Sequence, residues 1–214
     1  MQNNQIIVDG RNTGKTTYLL TEIDRLHQEG VNIVVMDSAT EHEEKSLLKK
    51  TCNNINESVV IDMRDPNGIV IDKVGIQYFV ENFMNYFPFA EVVKNRNKTI
   101  CFDLSYFLEK GHDEYDRTNS IELYNYYRSL YNNLSQQIAV SLILMEKYGI
   151  INNTVVVMDE IEFPIVNYDI SLLQRDLSFI ASVHPENAFG TFYTAFDKLK
   201  FISYRKRKEW WVWI

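Results

Sequence analysis

Short apolar runs alternate along this chain with longer stretches in which the apolar residues recur at helical spacing. The short runs predict strands at 5–9, 32–37, 58–63, 98–107, 154–160 and 189–196, and two more within 200–214. Several of these runs are apolar at every position, which is typical of strands buried on both faces of a parallel sheet.

Amphipathic stretches between these runs predict helices, at 14–30, 41–50, 74–87, 120–149 and 171–183. Gly30 and Gly149 are expected to close two of the helices, because glycine readily takes the left-handed conformation that follows a helix end. The polar segment 110–120 is predicted to be a loop at the rim of the site. Because strands alternate with helices, we predict a single α/β domain over 1–214. It should be a three-layer α/β/α sandwich with a mostly parallel central sheet and antiparallel C-terminal strands.

The composition fits such a core and limits the classes of partner. Of the 214 residues 45% are hydrophobic, and the formal net charge is −7. An acidic chain is poorly suited to wrapping nucleic acid, but the basic segment Lys198–Lys208 is a candidate contact for double-stranded DNA. The longest apolar run, 138–145, is too short to cross a bilayer. We expect no membrane partner and a cytoplasmic location, in the host cytoplasm or the virion if the chain is viral.

The stretch VDGRNTGKTTYLL, residues 8–20, contains the first candidate motif of a functional site. A phosphate-binding loop follows the pattern G-x-x-x-x-G-K-[ST] between a strand and a helix, and Gly14-Lys15-Thr16 match its second half. Asp9 stands at the first-glycine position, with Gly10 one residue later. Lys15 would reach the β- and γ-phosphates of ATP, and backbone N–H groups at the helix start would hold the phosphates. The predicted nucleotide-binding residues are Gly10, Arg11, Asn12, Thr13, Gly14, Lys15, Thr16 and Thr17.

The stretch TVVVMDE, residues 154–160, contains the second candidate motif of a functional site. A strand this apolar belongs in the centre of a parallel sheet, and ligands of open α/β sheets bind at the carboxyl ends of the strands. The stretch resembles a Walker B strand. The resemblance implies that Asp159 holds Mg²⁺ through water, together with Thr16, and that Glu160 acts as the general base on the attacking water. Together the two motifs predict a site for ATP and Mg²⁺ in which Glu160 and Lys15 are catalytic.

These motifs resemble those of P-loop NTPases of the additional-strand, catalytic-glutamate division. The resemblance implies a strand between the P-loop strand and the strand that ends at Asp159-Glu160. Over roughly 5–165 the order of elements is similar to that of FtsK/HerA-type ATPases, with a strand ending at Asp37, a strand TICFDLSYF (99–107) and a long helix. The family would also place a polar sensor, often a glutamine, on the strand after Asp159-Glu160. The stretch 189–196 departs from that pattern, with Thr191 and Thr194 instead.

The resemblance implies an oligomeric ATPase that translocates DNA or packages a viral genome as a homo-oligomeric ring. Such motors often complete their site with an arginine from the neighbouring subunit, for which Arg175 is a candidate. Two other classes stay open. One is a nucleoside or nucleotide kinase, although Leu104 stands where such kinases carry an arginine. The other is a nucleotide-binding regulator that hydrolyses ATP weakly, as the altered loop at Asp9 would allow.

Overall fold

The computed structural model describes residues 5–8, 14–37, 47–55, 58–63, 89–95, 98–159, 178–183, 198–203 and 208–213. The strands in this part of the chain are β1 (Gln5–Val8), β2 (Asn32–Asp37), β3 (Ser58–Asp62), β4 (Thr99–Asp103), β5 (Thr154–Met158), β6 (Ser178–Val183), β7 (Lys198–Ser203) and β8 (Lys208–Trp213). The helices are α1 (Lys15–Gln28), α2 (Leu47–Asn54), α3 (Phe89–Lys94), α4 (Ser105–Thr118) and α5 (Ile121–Lys147).

These strands form one sheet in the order β3-β4-β2-β5-β6-β1-β7-β8. Neighbouring strands are parallel from β3 across to β7, and β8 alone runs antiparallel to its neighbour. The α/β class, the mostly parallel sheet and the antiparallel pairing of the last two strands are therefore confirmed. β6 lies between β1 and β5, a position that matters for the site below.

The central strands are buried on both faces, as the unbroken apolar runs predict. All of Ile33–Asp37 in β2 is buried, and successive side chains of a strand point to opposite faces of the sheet. Helix α1 packs Leu19, Ile23 and Leu26 into a cluster on one face. The other members of this cluster are Ile7, Ile33, Val35, Leu47, Ile55, Cys101, Val157 and Ile180. Helix α5 buries a second stripe of side chains at helical spacing, namely Leu134, Ile138, Leu142 and Met145.

The predicted ends of α1 and α5 are confirmed. Gly30 has a φ of 71° and Gly149 a φ of 69°, so each takes the left-handed conformation just after its helix. At the start of α5 the Ser120 hydroxyl accepts a hydrogen bond from the N–H of Leu123 at 3.3 Å, which caps the helix. No helix in the described ranges has both the length and the apolar character that a membrane span needs.

The helix predicted over 171–183 is wrong at its second half, because 178–183 is strand β6. Phe179, Ile180 and Ala181 are all buried. A strand in the middle of a parallel sheet buries both faces, so its apolar residues form a short run that periodicity alone does not distinguish from a buried helix.

The predicted loop at 110–120 is also wrong, since α4 continues through Thr118 and begins directly after the strand at 99–103. Beyond Gly111 this helix is largely exposed, so it lacks the apolar period from which helices are recognised. The helix predicted over 41–50 is confirmed over 47–50 and continues to Asn54, while 41–46 lie outside the described residues. The helix predicted at 74–87 and the strand at 189–196 lie outside the described residues.

Candidate functional site

Three adjacent strands, β5, β6 and β1, bring the two sequence motifs to one edge of the sheet. The strands are parallel, so their carboxyl ends lie side by side. Helix α1 begins just after β1, and Asp159 directly follows β5. This edge is where open α/β sheets bind their ligands.

The first part of the site is the amino end of α1. Gly14 has φ 92° and ψ 16°, a conformation that residues with a Cβ rarely adopt, and its carbonyl accepts the N–H of Tyr18 at 3.0 Å. The first N–H groups of a helix lack partners within the helix and attract anions. No acidic side chain occupies the first turn of α1. The amino end of α1 is therefore suited to binding phosphate.

The functional side chains at this end of α1 differ in burial. Lys15 is only 5% exposed, Thr16 is half-buried, and Thr17 is exposed. A lysine is seldom this deeply buried unless its ammonium group has a polar role, since removal of a charge from water is costly. The structure thus places Lys15 inside the site and Thr17 at its surface.

Asp159 forms the second part of the site, and both of its carboxylate oxygens accept hydrogen bonds from hydroxyl groups. The Thr16 hydroxyl donates to Oδ2 at 2.8 Å, across 143 residues of sequence. The Ser182 hydroxyl donates to Oδ1. Asp159 is 9% exposed, and its backbone N–H donates to the carbonyl of Met36 at 3.4 Å. The predicted pairing of Thr16 with Asp159 is therefore present in the structure.

Ser182 is a site residue that the sequence analysis missed. It is fully buried, and β6 pairs Ala181 with Met158, which brings Ser182 level with Asp159. The sequence analysis took 189–196, with Thr191 and Thr194, as the next strand after Asp159, and that stretch lies outside the described residues. Because β6 comes earlier, Ser182 occupies the polar position beside Asp159. The second serine of the run SFIASV was the available signal.

A row of carboxylates continues along the same edge, away from β1. Asp37, Asp103 and Asp62 end β2, β4 and β3, and the strand registers place the three at one level. Asp103 accepts hydrogen bonds from the N–H of Ser105 at 3.0 Å and from its hydroxyl at 2.7 Å, and so stabilises the start of α4. These carboxylates repel phosphate, so a phosphate group would bind at the α1 side of the edge rather than beside them.

The remaining predicted site residues are outside the described part of the chain. These residues are Gly10, Arg11, Asn12, Thr13, Glu160 and Arg175. Among the residues that the structure does describe, no group of three or more His, Cys, Asp or Glu side chains could hold a metal ion. Mg²⁺ bound with a nucleotide needs few protein ligands, commonly one or two oxygen groups, with phosphates and water completing the shell. The hydroxyl of Thr16 and the carboxylate of Asp159 fit that requirement.

No protein-family model matches the chain, and a search of the curated proteins finds no match either. The geometry at the β5-β6-β1 edge and the sequence motifs that form it are therefore the evidence for a function.

Proposed function

We propose that the protein is a Mg²⁺-dependent ATPase. The observation that carries the proposal is the hydrogen bond between Thr16 and Asp159. It joins the two halves of the motif pair at the amino end of a helix whose first turn is free of acidic side chains. A hydroxyl and a carboxylate in direct contact beside a phosphate-binding helix end are the protein ligands that a Mg²⁺–nucleotide complex uses.

In this proposal the chain's own residues bind and orient ATP. The left-handed Gly14 lets the backbone approach the phosphates, and the N–H groups of α1 donate to them. Lys15 neutralises charge on the β- and γ-phosphates. Bound Mg²⁺ would supply charge stabilisation for the transferred phosphoryl group, with Thr16 and Asp159 as its protein ligands. Glu160, which follows Asp159 in the sequence, would take the proton of the attacking water.

Ser182 contributes orientation in this scheme. Its hydroxyl holds one oxygen of Asp159, while Thr16 holds the other. A carboxylate that is hydrogen-bonded at both oxygens has a defined rotamer, and phosphoryl transfer depends heavily on such positioning. Ser182 is therefore a positioning residue that acts through Asp159.

The sheet order supports the division of P-loop NTPases that the sequence resembles. A strand between the P-loop strand and the Asp159 strand is what that division implies, and β6 lies there. We therefore propose an FtsK/HerA-type motor that forms a homo-oligomeric ring and translocates or packages DNA. Arg175 of a neighbouring subunit would complete the site.

The test is steady-state ATP hydrolysis with and without double-stranded DNA, comparing the wild type with Glu160→Gln. We expect DNA to stimulate the wild type, and we expect Glu160→Gln to bind ATP with unchanged affinity but to lose turnover, since the general base is removed. Glu29→Gln is the matched control. Glu29 forms an exposed ion pair with Arg25 on α1, and such pairs contribute little to stability.

Normal turnover in Glu160→Gln would remove that residue from the mechanism. Hydrolysis that requires a nucleoside or nucleoside monophosphate would mean that the protein is a kinase. Tight ATP binding by the wild type with negligible turnover, with or without DNA, would mean that it is a regulator.

A further inference from the structure

Asp37, the last residue of β2, is a buried carboxylate on the strand next to that of Asp159. Strand β2 pairs Met36 with Met158, and an aspartate follows each methionine, so the two aspartates lie level. The N–H of Asp159 continues the pairing by donating to the carbonyl of Met36 at 3.4 Å. Adjacent strands lie about 4.8 Å apart. Asp37 is 3% exposed and Asp159 is 9% exposed, so the sheet brings two buried carboxylates side by side.

Both carboxylates are on the face of the sheet that α1 covers. Val35 of β2 and Val157 of β5 belong to the apolar cluster into which α1 packs. Side chains two residues apart on a strand share a face, and each aspartate follows its valine by two residues. Asp37 therefore lies on the same side of the sheet as Thr16, on the next strand beyond Asp159.

Two carboxylates buried this close together are unfavourable unless other groups offset their charge. Removal of each charge from water is costly, and like charges at this spacing repel each other. The hydroxyls of Thr16 and Ser182 donate to Asp159 from the β6 and α1 side. A divalent cation close to both carboxylates would offset the charge of each, which is one of the ways in which buried charges are tolerated.

The next two carboxylates of the row differ from Asp37 in burial and position. Asp103 is only partly buried, and it accepts two hydrogen bonds from Ser105 at the start of α4. Asp62 is exposed on β3, which lies three strand spacings from β5, or ~14 Å at about 4.8 Å per spacing. Deep burial combined with a place beside Asp159 therefore distinguishes Asp37 from both.

The metal ion of the proposed function needs hydrogen-bond acceptors beyond its direct ligands. Mg²⁺ keeps several waters when it binds together with a nucleotide. These waters donate hydrogen bonds, and bonds to an ionised carboxylate are stronger than bonds to a neutral acceptor. Such outer partners orient the ligands of a metal and raise its affinity. A carboxylate one strand beyond Asp159 is suited to this task.

We propose that Asp37 accepts a hydrogen bond from a water bound to the Mg²⁺ that Thr16 and Asp159 hold. Asp37 is then a positioning residue, because it acts on the metal through that water and does not bind the metal directly. The inference rests on the proposed function and deepens it, since it assigns a further residue to the same Mg²⁺–ATP site.

This assignment predicts effects of opposite sign with and without the metal. Without a divalent cation the charge of Asp37 repels the phosphates of ATP, so its removal should leave ATP affinity equal or higher. With the cation, the same change removes an acceptor and should weaken metal binding. Damage to the fold would lower affinity under both conditions, which distinguishes the proposed role from a merely structural one.

The experiment compares Asp37→Asn with Asp62→Asn. The strand registers place these aspartates at one level, so each variant removes one negative charge from the same edge. Asp62 is exposed and two strands further from Asp159, and it is the control for charge that acts at a distance. EPR spectroscopy counts free Mn²⁺ in a titration of the protein with stoichiometric ADP. Titration calorimetry in EDTA measures the affinity for metal-free ATP.

We expect Asp37→Asn to raise the Kd of Mn²⁺ at least about tenfold, as loss of an outer partner of a metal site does. It should bind metal-free ATP at least as tightly as the wild type. Asp62→Asn should change either affinity by less than about twofold, because water and salt screen an exposed charge at this distance. Asp37→Glu keeps the carboxylate and should recover part of the Mn²⁺ affinity.

Circular dichroism and thermal unfolding check the fold of each variant. If Asp37→Asn does not fold, Asp37→Ser and Asp37→Glu take its place. The Mn²⁺ affinity should then be lost in the serine variant and largely kept in the glutamate variant.

Unchanged Mn²⁺ affinity in Asp37→Asn would overturn the inference, as would equal losses in Asp37→Asn and Asp62→Asn or weaker binding of metal-free ATP. The proposed function survives these results if the wild type still binds ADP with Mn²⁺ and hydrolyses ATP. A wild type that binds neither would contradict the proposed function and this inference together.

Discussion

The β5-β6-β1 edge and the tip of the hairpin that α4 and α5 form, residues 110–126, are both on the carboxyl side of the sheet, but they are built in opposite ways. At the edge, Thr16, Asp159 and Ser182 come from distant parts of the sequence and are held together by hydrogen bonds in a largely buried setting. The tip is made from two consecutive helices, and its ion pairs and large apolar side chains are exposed. The comparison separates a site whose side chains the fold brings together from an exposed surface formed by two helices that are adjacent in the chain.

The energies of the two regions differ for the same reason. A hydrogen bond to a buried charged group contributes ~1.5–3 kcal/mol, and the loss of one leaves a polar atom without its partner. An exposed ion pair such as that of Lys110 with Glu114 contributes little to stability, because water screens the two charges. Substitutions at the edge should therefore change nucleotide chemistry, and substitutions at the tip should change local stability.

The largest effect is expected from Lys15→Ala. Removal of a buried charge that pairs with phosphate costs ~2–5 kcal/mol, so ATP affinity should fall by at least about 30-fold. Titration calorimetry with ATP and Mg²⁺ measures this, with Lys147→Ala at the exposed end of α5 as the control. Equal affinity in the two variants would mean that the amino end of α1 does not bind the nucleotide.

An intermediate effect is expected from Ser182→Ala. Asp159 keeps the hydrogen bond from Thr16 but loses one partner, so the Mg²⁺ concentration for half-maximal turnover should rise about tenfold, or ~1.4 kcal/mol. Ser182→Thr retains a hydroxyl and should restore most of the metal affinity. Ser178→Ala, four residues earlier on β6, is the control. If Ser178→Ala raises the Mg²⁺ concentration for half-maximal turnover as much as Ser182→Ala does, Ser182 has only a structural role.

The smallest effect on the site is expected from Gly111→Leu, which should act on the hairpin alone. The added side chain meets Tyr127 and Tyr124, and such overpacking costs ~1–3 kcal/mol. Thermal unfolding should shift downward and amide exchange in α4 should accelerate, while ATP affinity stays unchanged. Asn125→Leu places a leucine at an exposed position of α5 and serves as the control. A matching loss of ATP affinity would show that the hairpin and the site are coupled.

Sequence patterns were most informative where a structure is determined by local interactions. The bounds of α1 and α5 follow from their apolar stripes and from Gly30 and Gly149. Gly14-Lys15-Thr16 were located by the spacing of the P-loop pattern, and Asp159 by its place at the end of the apolar run TVVVM. The antiparallel strands β7 and β8 follow from two apolar runs with a basic segment between them.

Sequence patterns failed where neighbours in space decide the outcome. Strand β6 has the same apolar run as a buried helix, and only its pairing with β5 and β1 makes it a strand. Residues 110–118 of helix α4 are mostly polar and were therefore predicted as a loop, whereas in the structure Gly111 packs against Tyr127 on α5. Ser182 could not be assigned from the sequence, because its role depends on β6 being the strand that lies beside Asp159.

The sequence by itself therefore determined the α/β class, the two motif segments and the ends of the best-formed helices, because propensity and periodicity act over a few neighbouring residues. The tertiary structure alone decided the order of the strands and the contact of Ser182 with Asp159. These features depend on which distant segments pair, and pairing is set by the burial of the whole core rather than by any single segment.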